Sequence, residues 1–218
     1  MSAMLTGCPV IAVWDAAPAV PAVARVSPDG CRDLILRHDP GNRPFWFVSA
    51  LEDRTCAVAL APGSRLHGFR MRPGLGLDAG RLLRALDGRE PEPDRVLALV
   101  ANHAAPCARV EEALAALAAG PGSIAAAAAG LGVTPRTLQR LLLPATGRTP
   151  GWWLMLARLR RAARDLAAGT PPADAAAEHG YADQAHLTRA VRRWLGTTPR
   201  GLRGDADLAG QLAQPGYG

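Results

Sequence analysis

Residues 134–150 read TPRTLQRLLLPATGRTP, and residues 183–199 read DQAHLTRAVRRWLGTTP. Both contain L-x-R-x6-G-x-T-P: Leu138, Arg140, Gly147, Thr149 and Pro150 in the first copy, and Leu187, Arg189, Gly196, Thr198 and Pro199, 49 residues on, in the second. Thr is a good helix N-cap, Pro suits the first helical position because no backbone donor is needed there, and Gly ends the preceding helix. Each copy therefore predicts a short helix with a basic outer face that stops at glycine and hands over to another helix.

Working outward, a second short helix precedes each copy, with an alanine four residues before a glycine: Ala128 and Gly132, then Ala176 and Gly180. The small side chain lets two helices cross closely and the glycine supplies the turn, which is the helix-turn-helix pattern. From turn glycine to leucine the spacing is six residues in the first unit (Gly132 to Leu138) and seven in the second (Gly180 to Leu187), so the halves are not equal.

The second helix of each unit has two sides. Over about 135–143, Leu138, Leu141 and Leu142 are expected to face inward and Arg136, Gln139 and Arg140 outward. Over about 183–195, Leu187, Val191, Trp194 and Leu195 are expected inward, leaving Gln184, Ala185, Thr188, Arg189 and Arg192 outward. Gln and Arg can make bidentate contacts to adenine and guanine edges, and Ala permits close approach or touches a thymine methyl. A membrane-binding helix would instead need a large exposed apolar face, which neither pattern has.

Between the units, GWWLMLARLRRAARDLAA predicts a joining helix of about 17 residues, roughly 26 Å long. Two outer faces held that far apart suit successive major grooves, about 34 Å apart. Arg158, Arg160, Arg161 and Arg164 on this helix are candidates for phosphate contact, with solvated surface arginines as the bland reading.

Charge supports a polyanion partner. Residues 1–120 hold 13 Arg against 13 acidic residues, whereas 121–203 hold 12 Arg against 4. All 25 basic residues of the 218 are Arg, which points to GC-rich coding and discounts arginine content taken alone. The local excess still favours phosphates, because each one neutralised releases condensed counterions.

Residues 121–203 resemble the DNA-binding domain of the AraC/XylS family of bacterial transcription regulators. The resemblance is carried by AAAEHGYADQAHLTRAVRRWLGTTPRGLR and GVTPRTLQRLLLPATGRTPGWW. It implies a seven-helix domain with two reading helices and double-stranded DNA as partner, and RNA polymerase as a further partner if the chain activates. By position, Arg136, Gln139 and Arg140 match contact sites of the first reading helix. Gln184, Ala185, Thr188 and Arg189 match those of the second, with His186 at a phosphate position. The family usually has an aromatic where Leu142 stands and a polar or basic residue where Pro144 stands, so the first reading helix is expected to end early.

Upstream, RDLILRH, FWFVSAL, CAVALA and RLHGFRMR are short strand-like runs separated by Pro/Gly turns. Helical periodicity follows Pro73, with Leu82, Leu83 and Leu86, then Val96, Leu99 and Val100, then Val110, Leu114 and Leu117. The expected fold is α+β: a small antiparallel β domain over 1–75, cupin-like or a partial barrel; a helical connector or dimerisation region over 76–120; the double helix-turn-helix over 121–203; and a disordered tail over 204–218. PDGCRDLI and PGSRLHGFRMRPG resemble a small β domain often found before such DNA-binding domains. Trp14, Phe45, Trp46, Phe47 and His67 are candidates to line a pocket for a small-molecule effector, against the reading that aromatics on short strands are core. Dimerisation through this part is a further expectation.

No run of 18 apolar residues and no basic n-region is present, so a cytoplasmic protein without a membrane partner is expected. Cys8, Cys31, Cys56 and Cys107 have no C-x-x-C spacing, which suggests reduced thiols and predicts neither metal nor cofactor. The chain is expected not to be an enzyme. Two other readings stay open: a DNA alkylation-repair enzyme fused to the same helical domain, which needs a reactive cysteine in a zinc cluster, and a protein-interaction module that has lost DNA binding.

Overall fold

Glycines with positive φ at Gly30, Gly41, Gly63 and Gly74 cut the N-terminal third into short extended runs that return on one another. The computed structural model describes residues 8–88, 92–120 and 122–218. They fall into two units. The first takes the described residues up to Cys107 apart from Val26–Gly30 and Glu52–Cys56; those two segments join Ala108–Gly218 in the second.

The first unit contains β1 (Val10–Ala16), β2 (Ala22–Val26), β3 (Asp33–His38), β4 (Phe45–Val48), β5 (Cys56–Leu60), β6 (Arg65–Met71) and β7 (Gly76–Leu77), then α1 (Ala79–Leu86), α2 (Pro93–His103) and β8 (Ala104–Ala105). Four strands form an antiparallel sheet in the order β1-β6-β3-β4, and β2 pairs with β5. Alternation sends Leu34 and Phe69 to one face, where with Val10 and Met71 they pack on Leu82, Leu86, Val96 and Val100 of α1 and α2. Ile35 and Leu66 point to the other face and meet Leu60 and Val58 of β5. Asp78 caps α1, accepting from the Arg81 N–H at 3.0 Å.

This register overturns the expected effector pocket. Trp14, Gly68, Ile35 and Phe47 lie in one cross-strand row, and Asp15, His67, Leu36 and Trp46 lie in the next. Successive residues of a strand face opposite ways, so Trp14, Phe45 and Phe47 share one face while Trp46 and His67 share the other. The Trp14 ring lies directly over Gly68, where a Cβ would come within 2.1 Å of it, and the Trp14 indole N–H donates to Asp33 at 3.0 Å. His67 packs edge-on against Phe69 at 5.0 Å. Trp14 and Phe47 pack on the core of one face and Trp46 on that of the other, while Phe45 stays half exposed.

The second unit is helical: α3 (Ala108–Ala118), α4 (Ile124–Gly130), α5 (Pro135–Thr146), α6 (Pro150–Ala167), α7 (Pro172–Glu178), α8 (Gln184–Leu195), α9 (Pro199–Arg203) and α10 (Ala206–Ala213). Its axis is α6, which buries Trp153, Leu154, Leu156, Leu159, Ala162, Ala163 and Leu166. The expected connector over 76–120 is not one element, since α1 and α2 belong to the β unit while α3 belongs to this one. The expected disordered tail is also corrected. Asp205 caps α10, Leu208 and Leu212 are buried one turn apart, and Tyr217 packs edge-on against Trp153 at 4.7 Å while its hydroxyl donates to the Leu114 carbonyl at 2.9 Å. Burial against α6 orders a segment too short to be helical by itself. Among the described residues no helix is long and apolar enough to cross a membrane.

Candidate nucleic-acid interface

The two helix-turn-helix units close by the same backbone device. In the first, Leu131 follows α4 and Gly132 takes φ +66°, so the Val133 N–H reaches the Ala128 carbonyl at 2.9 Å. In the second, Gly180 takes φ +69° and the Tyr181 N–H reaches the Ala176 carbonyl at 2.9 Å. This six-to-one bond is the Schellman closure, which only a left-handed residue permits and which glycine adopts without steric cost. Ala128 and Ala176 are fully buried, as helices that cross closely require.

The helices that follow start on side-chain caps. Thr134 accepts from the Thr137 N–H at 3.2 Å and Asp183 from the His186 N–H at 2.6 Å. They stop at Gly147 and Gly196, both left-handed. The early end expected at Pro144 does not occur, and α5 runs to Thr146. Pro144 stands in the last turn on the exposed side. The end of the helix is held by Thr146, whose hydroxyl donates to the Leu142 carbonyl at 2.8 Å and accepts the Trp153 indole N–H at 3.1 Å.

Leu138 and Leu142 bury the inner side of α5; Leu187, Ala190, Val191, Trp194 and Leu195 bury that of α8. Leu141, expected inward, is half-buried. On the outer side of α5 stand Arg136, Gln139 and Arg140, all exposed, followed by Leu143 at 40% exposure. Leu143 was not singled out in the sequence, although its place seven residues after Arg136 on the same face is the available signal. On α8, Gln184, Ala185, Arg189 and Arg192 are exposed and, with Thr188, line an open groove of about 530 Å³. Thr188 is half-buried and donates its hydroxyl to the Gln184 carbonyl at 2.8 Å. Among the described residues, no hydrogen bond or ion pair holds the guanidinium of Arg136, Arg140, Arg189 or Arg192.

His186 is half-buried, with its ring edge-on to Tyr181 at 5.1 Å and Nδ1 accepting the Ala182 N–H at 3.4 Å. That bond leaves Nε2 as the ring's hydrogen-bearing nitrogen when the imidazole is neutral.

The joining helix departs from expectation. Arg158 donates to the Gly180 carbonyl at 3.2 Å and the Gly122 carbonyl at 3.4 Å. Arg160 is 2% exposed and donates to the carbonyls of Leu212 and Gln214, each at 3.4 Å. Arg161 donates to the Ala118 carbonyl, and Arg164 to those of Gly218 and Arg160. Ala118, Gly180 and Leu212 lie at or just past helix C-termini, where carbonyls lack intrahelical donors. These arginines tie α6 to its neighbours rather than presenting a row of phosphate ligands. Burial also pushes the Arg161 pKa down from its ordinary value, with the Arg164 charge acting in the same direction.

Among the described residues, one group has the makings of a metal site: Asp165, Glu178 and His179. His179 Nε2 and Asp165 Oδ2 are hydrogen-bonded at 2.6 Å, which joins α6 to the end of α7 without an ion. No cysteine takes part in the group.

A family model described as a helix-turn-helix domain matches residues 127–205. No curated protein matches the chain. Among solved structures, the chain is similar to a transcriptional regulator from Chromobacterium violaceum described by AraC-type DNA-binding domain-containing proteins, with 26% identity, 50% of this chain and 96% of that one covered, and a TM-score of 0.42. It is also similar to ToxT from Vibrio cholerae O395, with 8% identity, 93% and 97% covered and a TM-score of 0.49. The matched segment coincides with both Schellman-closed units and the helix between them, and with the doubled L-x-R-x6-G-x-T-P pattern. Residues 127–205 thus belong to a helix-turn-helix domain in which the turn device and the punctuation occur twice.

Proposed function

We propose that the chain is a sequence-specific transcription regulator that reads two successive major-groove segments of double-stranded DNA with α5 and α8. The observation that carries this reading is the state of the outward side chains. Arg136, Gln139 and Arg140 on one helix and Gln184, Arg189 and Arg192 on the other are exposed, and their arginines are unengaged, whereas the arginines of α6 are bound to backbone. Arg and Gln free to meet guanine and adenine edges are what direct readout needs. Ala185, without a long side chain, leaves room for the base beside it, Thr188 reaches either a base or a sugar, and His186 offers Nε2–H to a phosphate at the edge of the turn. At 18 residues, α6 spans about 27 Å, which suits heads set into neighbouring turns of one duplex.

Residues 108–218 form the reading domain in this proposal. The β domain takes a sensing or dimerising role, with RNA polymerase as the partner if the chain activates. A small effector would have to bind elsewhere than among Trp14, Phe45, Trp46, Phe47 and His67. An open depression beside Arg37, Asp39 and Asn42 is one such place.

Fluorescence anisotropy tests the DNA reading. Duplex from the region upstream of the chain's own gene is expected to bind at least a thousandfold more tightly than random duplex at physiological salt. Equal affinities would overturn it.

A further inference from the structure

We infer that Arg158 is a positioning residue that sets the phase between the two reading helices without itself touching DNA; the inference rests on the two-segment reading above. Arg158 stands midway along α6, half-buried. Its two terminal nitrogens go to different units. Nη1 donates to the carbonyl of Gly180, the left-handed glycine on which the second turn pivots, at 3.2 Å. Nη2 donates at 3.4 Å to the carbonyl of Gly122, the residue before Ser123, whose side chain caps α4 by accepting from the Ala126 N–H at 3.0 Å. The guanidinium also lies 5.8 Å from the ring centroid of Tyr181, the buried residue whose N–H closes the second turn.

One planar group thus joins the start of the first helix-turn-helix to the pivot of the second. Arginine suits this task because its donors diverge at a fixed angle and its face stacks on an aromatic ring; lysine has a single flexible ammonium. Gly180 packs against the same side chain, since a Cβ there would sit 3.8 Å from the guanidinium carbon. A change at residue 158 therefore alters how the two units are set against one another, while each unit keeps its own caps, closure and outward face.

The test starts from duplexes enriched by the wild-type chain out of a random pool, with the two protected segments located by footprinting. Affinity is then measured on the enriched duplex, on versions with one base pair inserted or deleted between the segments, and on a version with the first segment scrambled. One inserted base pair turns the second segment by about 35°. The wild-type chain is expected to lose affinity steeply on insertion or deletion. Arg158→Ala is expected to bind the enriched duplex about tenfold more weakly, to show a nearly flat response to spacing, and to equal wild type on the scrambled duplex, because only the advantage of joint engagement is lost. Arg158→Lys keeps the charge and is expected to share the flat response, with the salt dependence of wild type.

A steep spacing response in both variants would overturn the inference. So would full restoration by Arg158→Lys, which would make the charge alone responsible. If Arg158→Ala does not fold, as judged by circular dichroism, the lysine variant decides. Failure of the wild-type chain to enrich any duplex would bring down the DNA reading itself, and this inference with it.

Discussion

Trp153, on the first turn of α6, donates its indole N–H to the hydroxyl of Thr146, the last residue of α5, at 3.1 Å. The same hydroxyl donates to the Leu142 carbonyl and accepts the Arg148 N–H at 3.1 Å. A single buried oxygen therefore holds the end of α5, its exit turn and the start of α6. Thr146→Val keeps the shape and leaves the indole N–H and the Arg148 amide without this acceptor. It is expected to cost about 1–3 kcal/mol, read as a lower urea midpoint with an unchanged slope. An unchanged midpoint would show that the hydroxyl holds nothing together.

The arginines should divide into two kinds under salt. Arg189→Ala removes an outward, unengaged side chain and is expected to lose about 1–3 kcal/mol of binding to the preferred duplex and to relax preference at one position. Arg160→Met removes a buried cation bound to backbone carbonyls and is expected to lower the unfolding midpoint while leaving the slope of log affinity against log salt unchanged. A shallower slope for Arg160→Met would place that residue on phosphate after all.

The C-terminal segment should behave as core. Tyr217→Ala empties the space between Trp153 and Gly30 and is expected to cost about 3–5 kcal/mol, whereas Tyr217→Phe gives up only the bond to Leu114, about 1 kcal/mol. Denaturation of the two variants side by side checks this. Equal and negligible losses would return the tail to disorder.

Both tyrosines of the chain are buried, and the titration should show it. Burial pushes the Tyr181 hydroxyl up to about 12, against smaller opposing effects of Arg158 and Arg161, and pushes Tyr217 up further. A folded-state pKa above the unfolded value of about 10 means that the unfolded chain releases a proton the folded chain keeps. The stability this provides is complete below pH 10 and is lost as pH rises toward 12. Phenolate absorbance is expected to stay low until the circular dichroism signal collapses; a phenolate midpoint near pH 10 in still-folded protein would refute this.

The helical unit was far more legible in the sequence than the β unit. Punctuation at Thr134-Pro135, Gly147, Thr149-Pro150, Gly180 and Gly196 is local chemistry, and every one of those stops and starts stands where it was read. Arg136, Gln139, Arg140, Gln184, Ala185, Arg189 and Arg192, read as outward from spacing, are exposed, whereas Leu143 was missed. What escaped was set by partners distant in sequence. The roles of Arg158, Arg160, Arg161 and Arg164 depend on which carbonyls the fold brings to them, and α10 exists because α6 offers a surface. The early end expected from the family's pattern at Leu142 and Pro144 did not occur, because the last turn of α5 is held by Thr146. Trp14, Phe45, Trp46, Phe47 and His67 were expected around one pocket, although the strand register sets them on two faces.

If α5 and α8 read DNA as proposed, their unequal faces have a consequence for the DNA itself. Pro135, Arg136, Gln139, Arg140 and Leu143 occupy on one helix the places held on the other by Gln184, Ala185, Thr188, Arg189 and Arg192. Two heads with different chemistry, strung in order along one chain, match a site whose ends differ. Such a site has a polarity, as an arrow does. Turning it end for end would reverse the bound protein.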